Sequence, residues 1–92
     1  MDLLNDINHD GSRNFLDIDE RLSFEAMRDF AATLKGCEIT GYLTDEVTEV
    51  WIDFTFEGHK FTVHNPFGEY WFSVEDPQCP EAILRKVARH FA

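Results

Sequence analysis

The chain has 92 residues, 43% of them hydrophobic, with nine Phe and two Trp, and a formal net charge of −10 from 18 acidic and 8 basic residues. That length allows one domain, 1–92, around a single core, and that apolar content excludes a disordered chain. A surface this acidic repels phosphate backbones and anionic membranes, so the expectation is no nucleic acid and no membrane as partner, but a basic protein.

The opening residues, Met1-Asp2-Leu3-Leu4-Asn5-Asp6, carry neither a basic region nor an apolar stretch of signal-peptide length, and no apolar run elsewhere approaches a membrane span. A cytoplasmic setting is expected. There Cys37 and Cys79 stay free thiols rather than pairing. A zinc site from Cys37, His59, His64 and Cys79 would need separated segments to converge, and no CxxC or HxxxH spacing supports one.

Residues 1–13 read as a mobile, polar N-terminal segment. Within and beyond them, Asp6-Ile7-Asn8-His9-Asp10-Gly11-Ser12-Arg13-Asn14-Phe15-Leu16-Asp17 resembles the calcium loop of EF-hand and dockerin modules. Oxygen side chains fall at Asp6, Asn8, Asp10, Asn14 and Asp17, and Gly11 supplies the sharp turn, which is the spacing a hard cation needs. Arg13 departs from that pattern, since an aliphatic residue usually stands there, and Asp17 replaces the bidentate Glu. The resemblance implies calcium as an alternative cofactor, set against the main expectation of none.

Asn14 to Asp19 predicts a short strand. Ser23 suits an N-cap, and Phe24, Met27, Ala31 and Leu34 follow at helical spacing, which predicts a helix from Phe24 to Lys35 closed by Gly36. Arg28 is expected on its solvent side. Cys37 to Leu43 predicts a strand with Ile39 and Leu43 on one face and Gly41 as a bulge or close-packing point. Thr44 to Glu49 is a polar link whose three carboxylates suit a cationic partner.

Val50 to Val74 predicts a three-stranded antiparallel meander. Val50, Ile52, Phe54 and Phe56 alternate with Trp51, Asp53 and Thr55, and Glu57-Gly58 makes a two-residue turn. That turn sets Phe54 opposite Phe61, Ile52 opposite Val63, Asp53 opposite Thr62 and Trp51 opposite His64. Asn65 to Gly68 turns the chain into a third strand, Tyr70 to Val74. Parity puts Phe72 and Val74 in the core and Trp71 outside.

Pro77 and Pro80 mark a turn into a final helix, with Pro80 at its first position and Cys79 near its N-cap. Ile83, Leu84, Val87, Ala88 and Phe91 make its apolar stripe, while Arg85, Lys86, Arg89 and His90 face away. A cysteine at a helix start invites the idea of a nucleophile, but no base or oxyanion site stands near it in sequence.

The resulting fold class is α+β: an antiparallel sheet with a C-terminal three-stranded meander and two helices packed on one face. The other face then presents Trp51, Asp53, His64 and Trp71 with Glu69, either open to a partner or covered by the N-terminal segment as a second small core. The stretch Gly68-Glu69-Tyr70-Trp71-Phe72-Ser73-Val74-Glu75-Asp76-Pro77-Gln78-Cys79-Pro80 with its following helix resembles the C-terminal part of small bacterial α+β proteins. Some proteins of that size and build are immunity proteins. That resemblance carries no functional residues over. The aromatic face and the acidic charge lead to the expectation of a non-enzymatic, protein-binding module, an inhibitor or immunity-type protein that docks on a basic partner through Trp51, Asp53, His64, Glu69 and Trp71. A small-molecule site on the Trp51/His64/Trp71 face is a further alternative.

Overall fold

The computed structural model describes residues 2–92. Its elements in chain order are β1 (Asp6–Ile7), β2 (Arg13–Asp19), α1 (Phe24–Ala32), β3 (Glu38–Thr44), β4 (Val50–Phe56), β5 (His59–His64), β6 (Glu69–Val74) and α2 (Glu81–Phe91). The strands form one six-stranded sheet of order β1-β2-β6-β5-β4-β3, antiparallel at every pairing. The class is therefore α+β.

The central hairpin has the register that its turn dictates. Trp51 pairs with His64, Ile52 with Val63, Asp53 with Thr62 and Phe54 with Phe61. Glu57 and Gly58 take φ of 49° and 80°, the left-handed pair that a two-residue hairpin turn of matching twist requires. The meander extends further than expected, because β3 also pairs with β4 and four strands run consecutively from β3 to β6. Ile52, Phe54, Phe61, Val63, Tyr70, Phe72 and Val74 all point into the core. Each Phe removed from water there stabilises the fold by about 1.5–3 kcal/mol. Phe54 stacks on Phe61 at 5.1 Å, and Phe15 meets Phe61 edge-on at 5.8 Å.

Both helices contribute to that core. Ser23 caps α1, its hydroxyl accepting from the Ala26 N–H at 3.2 Å, and Met27 and Ala31 are buried. The helix ends at Ala32 rather than Lys35. Thr33 and Leu34 donate to the carbonyls three residues back, and the Thr33 hydroxyl also takes the Phe30 carbonyl at 2.6 Å, so the last turn tightens before Gly36 reverses the chain at φ 88°. Arg28 is half-buried rather than solvent-facing, with its guanidinium 4.7 Å over the Tyr42 ring. In α2, Pro80 is the N-cap residue with ψ of 136°, so the helix begins at Glu81, one position later than expected. Leu84, Val87 and Ala88 are buried, and Phe91 packs on Phe72 at 4.6 Å. The helices meet where Phe30 stacks on His90 at 4.5 Å.

Two elements differ from expectation for reasons of packing. Between Ile39 and Gly41 the β3–β4 register shifts by a bulge, so Tyr42 instead of Leu43 faces Ile52, and Leu43 turns outward with 67% of its surface exposed. Residues 2–13, read as a mobile segment, make ordered contacts with the sheet. Leu4 N–H donates to the Phe15 carbonyl at 3.0 Å, and β1 pairs with β2 through Asp6 with Asn14 and Ile7 with Arg13. Arg13, only 6% exposed, donates to the Leu4 carbonyl at 2.7 and 2.9 Å and to Glu81 at 2.8 Å, joining the N-terminal stretch to the first turn of α2.

Candidate functional site

Side chains alternate along a strand, so the pairing that buries Ile52, Val63 and Phe72 sends their neighbours to the opposite face. Across four adjacent strands this places Leu43, Trp51, His64 and Trp71 side by side in one row. The next row is polar: Gly41, Asp53, Thr62, Ser73 and Asn14. Glu69 lies on β6 opposite Asp19, two residues from Trp71 and on the same face, and Asp17 ends the aromatic row.

The aromatic row is tightly made. Trp51 stacks on His64 with centroids 4.4 Å apart and planes 13° from parallel. His64 Nδ1 lies 2.9 Å from the Val50 carbonyl, and a carbonyl only accepts, so Nδ1 carries the proton and Nε2 of the neutral ring is an acceptor. Phe67, 79% exposed, leans on Trp71 at 5.7 Å. Trp71 Nε1 is buried without a hydrogen-bond partner among the described residues, a deficit of a kind that costs about 1–3 kcal/mol.

The N-terminal hairpin neither leaves this face flat nor covers it. Its turn forms one wall of a hollow of about 490 Å³, with Asn8, Asp10 and Ser12 on one side and Trp51, Asp53 and Trp71 on the other. Asp10 accepts from the Ser12 hydroxyl at 2.6 Å and its N–H at 2.9 Å, and these bonds hold its carboxyl below the usual range. Asp53 accepts from the Thr62 hydroxyl at 2.7 Å through one oxygen. Its other oxygen lies over Gly41, where a Cβ would stand only 3.0 Å away, so the absence of a side chain at 41 keeps it uncovered.

Of the residues read from sequence, Trp51, His64 and Trp71 form one row, Asp53 stands beside them and Glu69 at their margin. The link carboxylates divide. Asp45, itself exposed, is engaged within the link, accepting from the N–H groups of Val47, Thr48 and Glu49 and from the Thr48 hydroxyl, bonds that keep it far below the ordinary carboxylate range. Glu46 and Glu49 remain exposed. Leu43 and Phe67 were missed. The bulge conceals the first, and the second sits in a turn where periodicity says nothing.

The stretch that resembles a calcium loop is folded as paired strands. Asp6 and Asn14 belong to two paired strands, so the stretch is a β-hairpin and not a loop wrapped around one point. Asn14 also donates its amide to Asp17 at 2.8 Å. Among the described residues no group of three or more His, Cys, Asp or Glu side chains is placed to hold a metal ion. Cys79 is buried, and burial first, then nearby Asp76, pushes its thiol up to about 11, the reverse of an activated nucleophile. No helix among the described residues is long and apolar enough to cross a membrane. No family model, curated protein or solved structure matches this chain.

Proposed function

We propose that the chain is a non-enzymatic, protein-binding module of the cytoplasm that docks on a basic protein partner, in the manner of an inhibitor or immunity protein. The observation that carries the reading is the row Leu43, Trp51, His64 and Trp71, flanked by Asp53 and Glu69. Met27, Leu84 and Val87 of the helices share the core with Ile52, Phe54 and Phe72, whose side chains leave the sheet on the side opposite to this row. Buried aromatic anchors supply most of the energy at interfaces of this kind, and surrounding carboxylates speed encounter with cationic surfaces. The exposed side chains of Leu43 and Phe67 extend the apolar area at the two ends of the row. Both cysteines are free thiols, which suits a reducing compartment.

The test is a comparison of wild type with a folded Trp51→Ser/Trp71→Ser variant as baits in lysate of the source cell, followed by kinetics with the purified partner. A basic protein held by wild type alone, with association slowing steeply as salt rises, is the expected result. Equal capture by both baits would move the interface elsewhere, and association indifferent to salt would remove the electrostatic part.

A further inference from the structure

The docking face is not uniform, because the hollow between the Asn8–Ser12 turn and the sheet has a composition of its own. None of its lining residues is Lys or Arg, although two are carboxylates and two are tryptophans. From this we infer that the hollow seats an arginine side chain of the basic partner, a step that rests on the protein-binding reading above.

The acceptors around the hollow have capacity to spare. Asp53 uses one oxygen on Thr62, while the other, over Gly41, has no hydrogen-bond partner among the described residues. In its neutral form His64 offers Nε2 as an acceptor, because Nδ1 carries the proton toward the Val50 carbonyl. Asp10 faces them from the turn, with one oxygen engaged by Ser12. Such separated acceptors require a ligand with several donors in fixed directions.

The indoles narrow the choice further. A guanidinium is planar, weakly hydrated and carries five N–H donors, so it stacks on an aromatic face while its edge reaches carboxylates. A lysine ammonium is compact and strongly hydrated, and it would use the carboxylates but little of the aromatic surface. A carboxylate or phosphate ligand would meet Asp10 and Asp53 with like charge. The chemistry of the hollow therefore selects arginine among the side chains of a basic protein.

The experiment titrates the full-length, isotope-labelled chain with N-acetyl-arginine amide, with N-acetyl-lysine amide in parallel, while the indole N–H signals of Trp51 and Trp71 are followed by NMR. Both signals are expected to move with the arginine probe at about 10 mM, with an apparent affinity about ten-fold better than for lysine. Asp53→Asn, an exposed position whose backbone spectrum reports retention of the fold, is expected to weaken the arginine response about ten-fold. Gly41→Ala, which crowds the Asp53 carboxylate without removing its charge, should weaken it less.

Indole signals indifferent to arginine, or equal responses to lysine, would overturn the inference. If the signals stay still while Trp51→Ser/Trp71→Ser still abolishes capture of a basic partner, the arginine seat fails and the docking face survives. If arginine binds but partner capture ignores both tryptophans, the hollow is a site for small guanidinium compounds and its assignment to a protein partner is overturned.

Discussion

The Trp51 indole lies flat on the His64 imidazole at 4.4 Å, at a directly paired position of β4 and β5, and the same imidazole donates through Nδ1 to the carbonyl of Val50. One side chain thus supports the anchor and fastens the edge of its strand. His64→Ala removes both contacts, with an expected loss of about 0.5–1.5 kcal/mol in urea denaturation and a change in tryptophan emission of the native state. Unchanged stability and emission would mean that the stack contributes nothing.

Asn65 is buried and ties three segments together. Its oxygen accepts from the Val50 N–H at 2.8 Å, and its amide donates to Glu20 at 2.6 Å and to the Thr48 carbonyl at 3.0 Å. Asn65→Ala should cost about 1–3 kcal/mol, because the Val50 N–H is left unpaired in a buried position. In a thermal scan each kcal/mol lowers Tm by roughly 4–8 °C for a domain of this size. Asn65→Asp keeps the acceptor but sets a carboxylate against Glu20, so its deficit should shrink as pH falls.

Arg13 and Glu81 join the two ends of the chain at 2.8 Å. Arg13→Met is expected to destabilise by about 1–3 kcal/mol, since the Leu4 carbonyl and Glu81 both lose a charged donor. Glu81 is more than half exposed, so Glu81→Gln should cost less than about 1 kcal/mol. Limited proteolysis distinguishes the roles further: Arg13→Met should speed cleavage within residues 2–12, and Glu81→Gln should not.

Two buried acids set the alkaline limit of stability. Burial raises Cys79 from an ordinary 9.0 to about 11 and Tyr70 from 10.0 to about 12, the second also under the influence of Glu20. Each folded value lies above the unfolded one, so the neutral form is favoured in the fold. The contribution is full below pH 9 and is lost as pH rises through about 11 and then about 12. Urea midpoints at a series of pH values should therefore fall above pH 9, and Cys79→Ala should make the first part of that decline shallower. At neutral pH a thiol reagent should label Cys79 more slowly than the half-buried Cys37.

Much of this protein follows from local rules acting on its sequence. A two-residue turn with Gly58 and strict alternation in β4 leave one register that buries Ile52 and Phe54, and that register alone puts Trp51 opposite His64. Helical spacing likewise marks Met27, Ala31, Leu84 and Val87 as core. Such patterns are legible because their periods are properties of the backbone and do not depend on distant partners. Other features depend on what packs opposite. The pairing of β1 with β2 makes a hairpin of the stretch that resembles an ion loop, and the pairing of β2 with β6, which joins Asn14 to Ser73, sets that hairpin against the sheet as a wall of the hollow. The bulge before Gly41 exchanged Tyr42 for Leu43, because a single extra residue reverses alternation without altering composition. Arg13 and Asn65 looked like loop polars. Tertiary structure alone gave them burial, since their partners Glu81 and Glu20 lie far away in sequence and a buried polar group persists only where its hydrogen bonds are met.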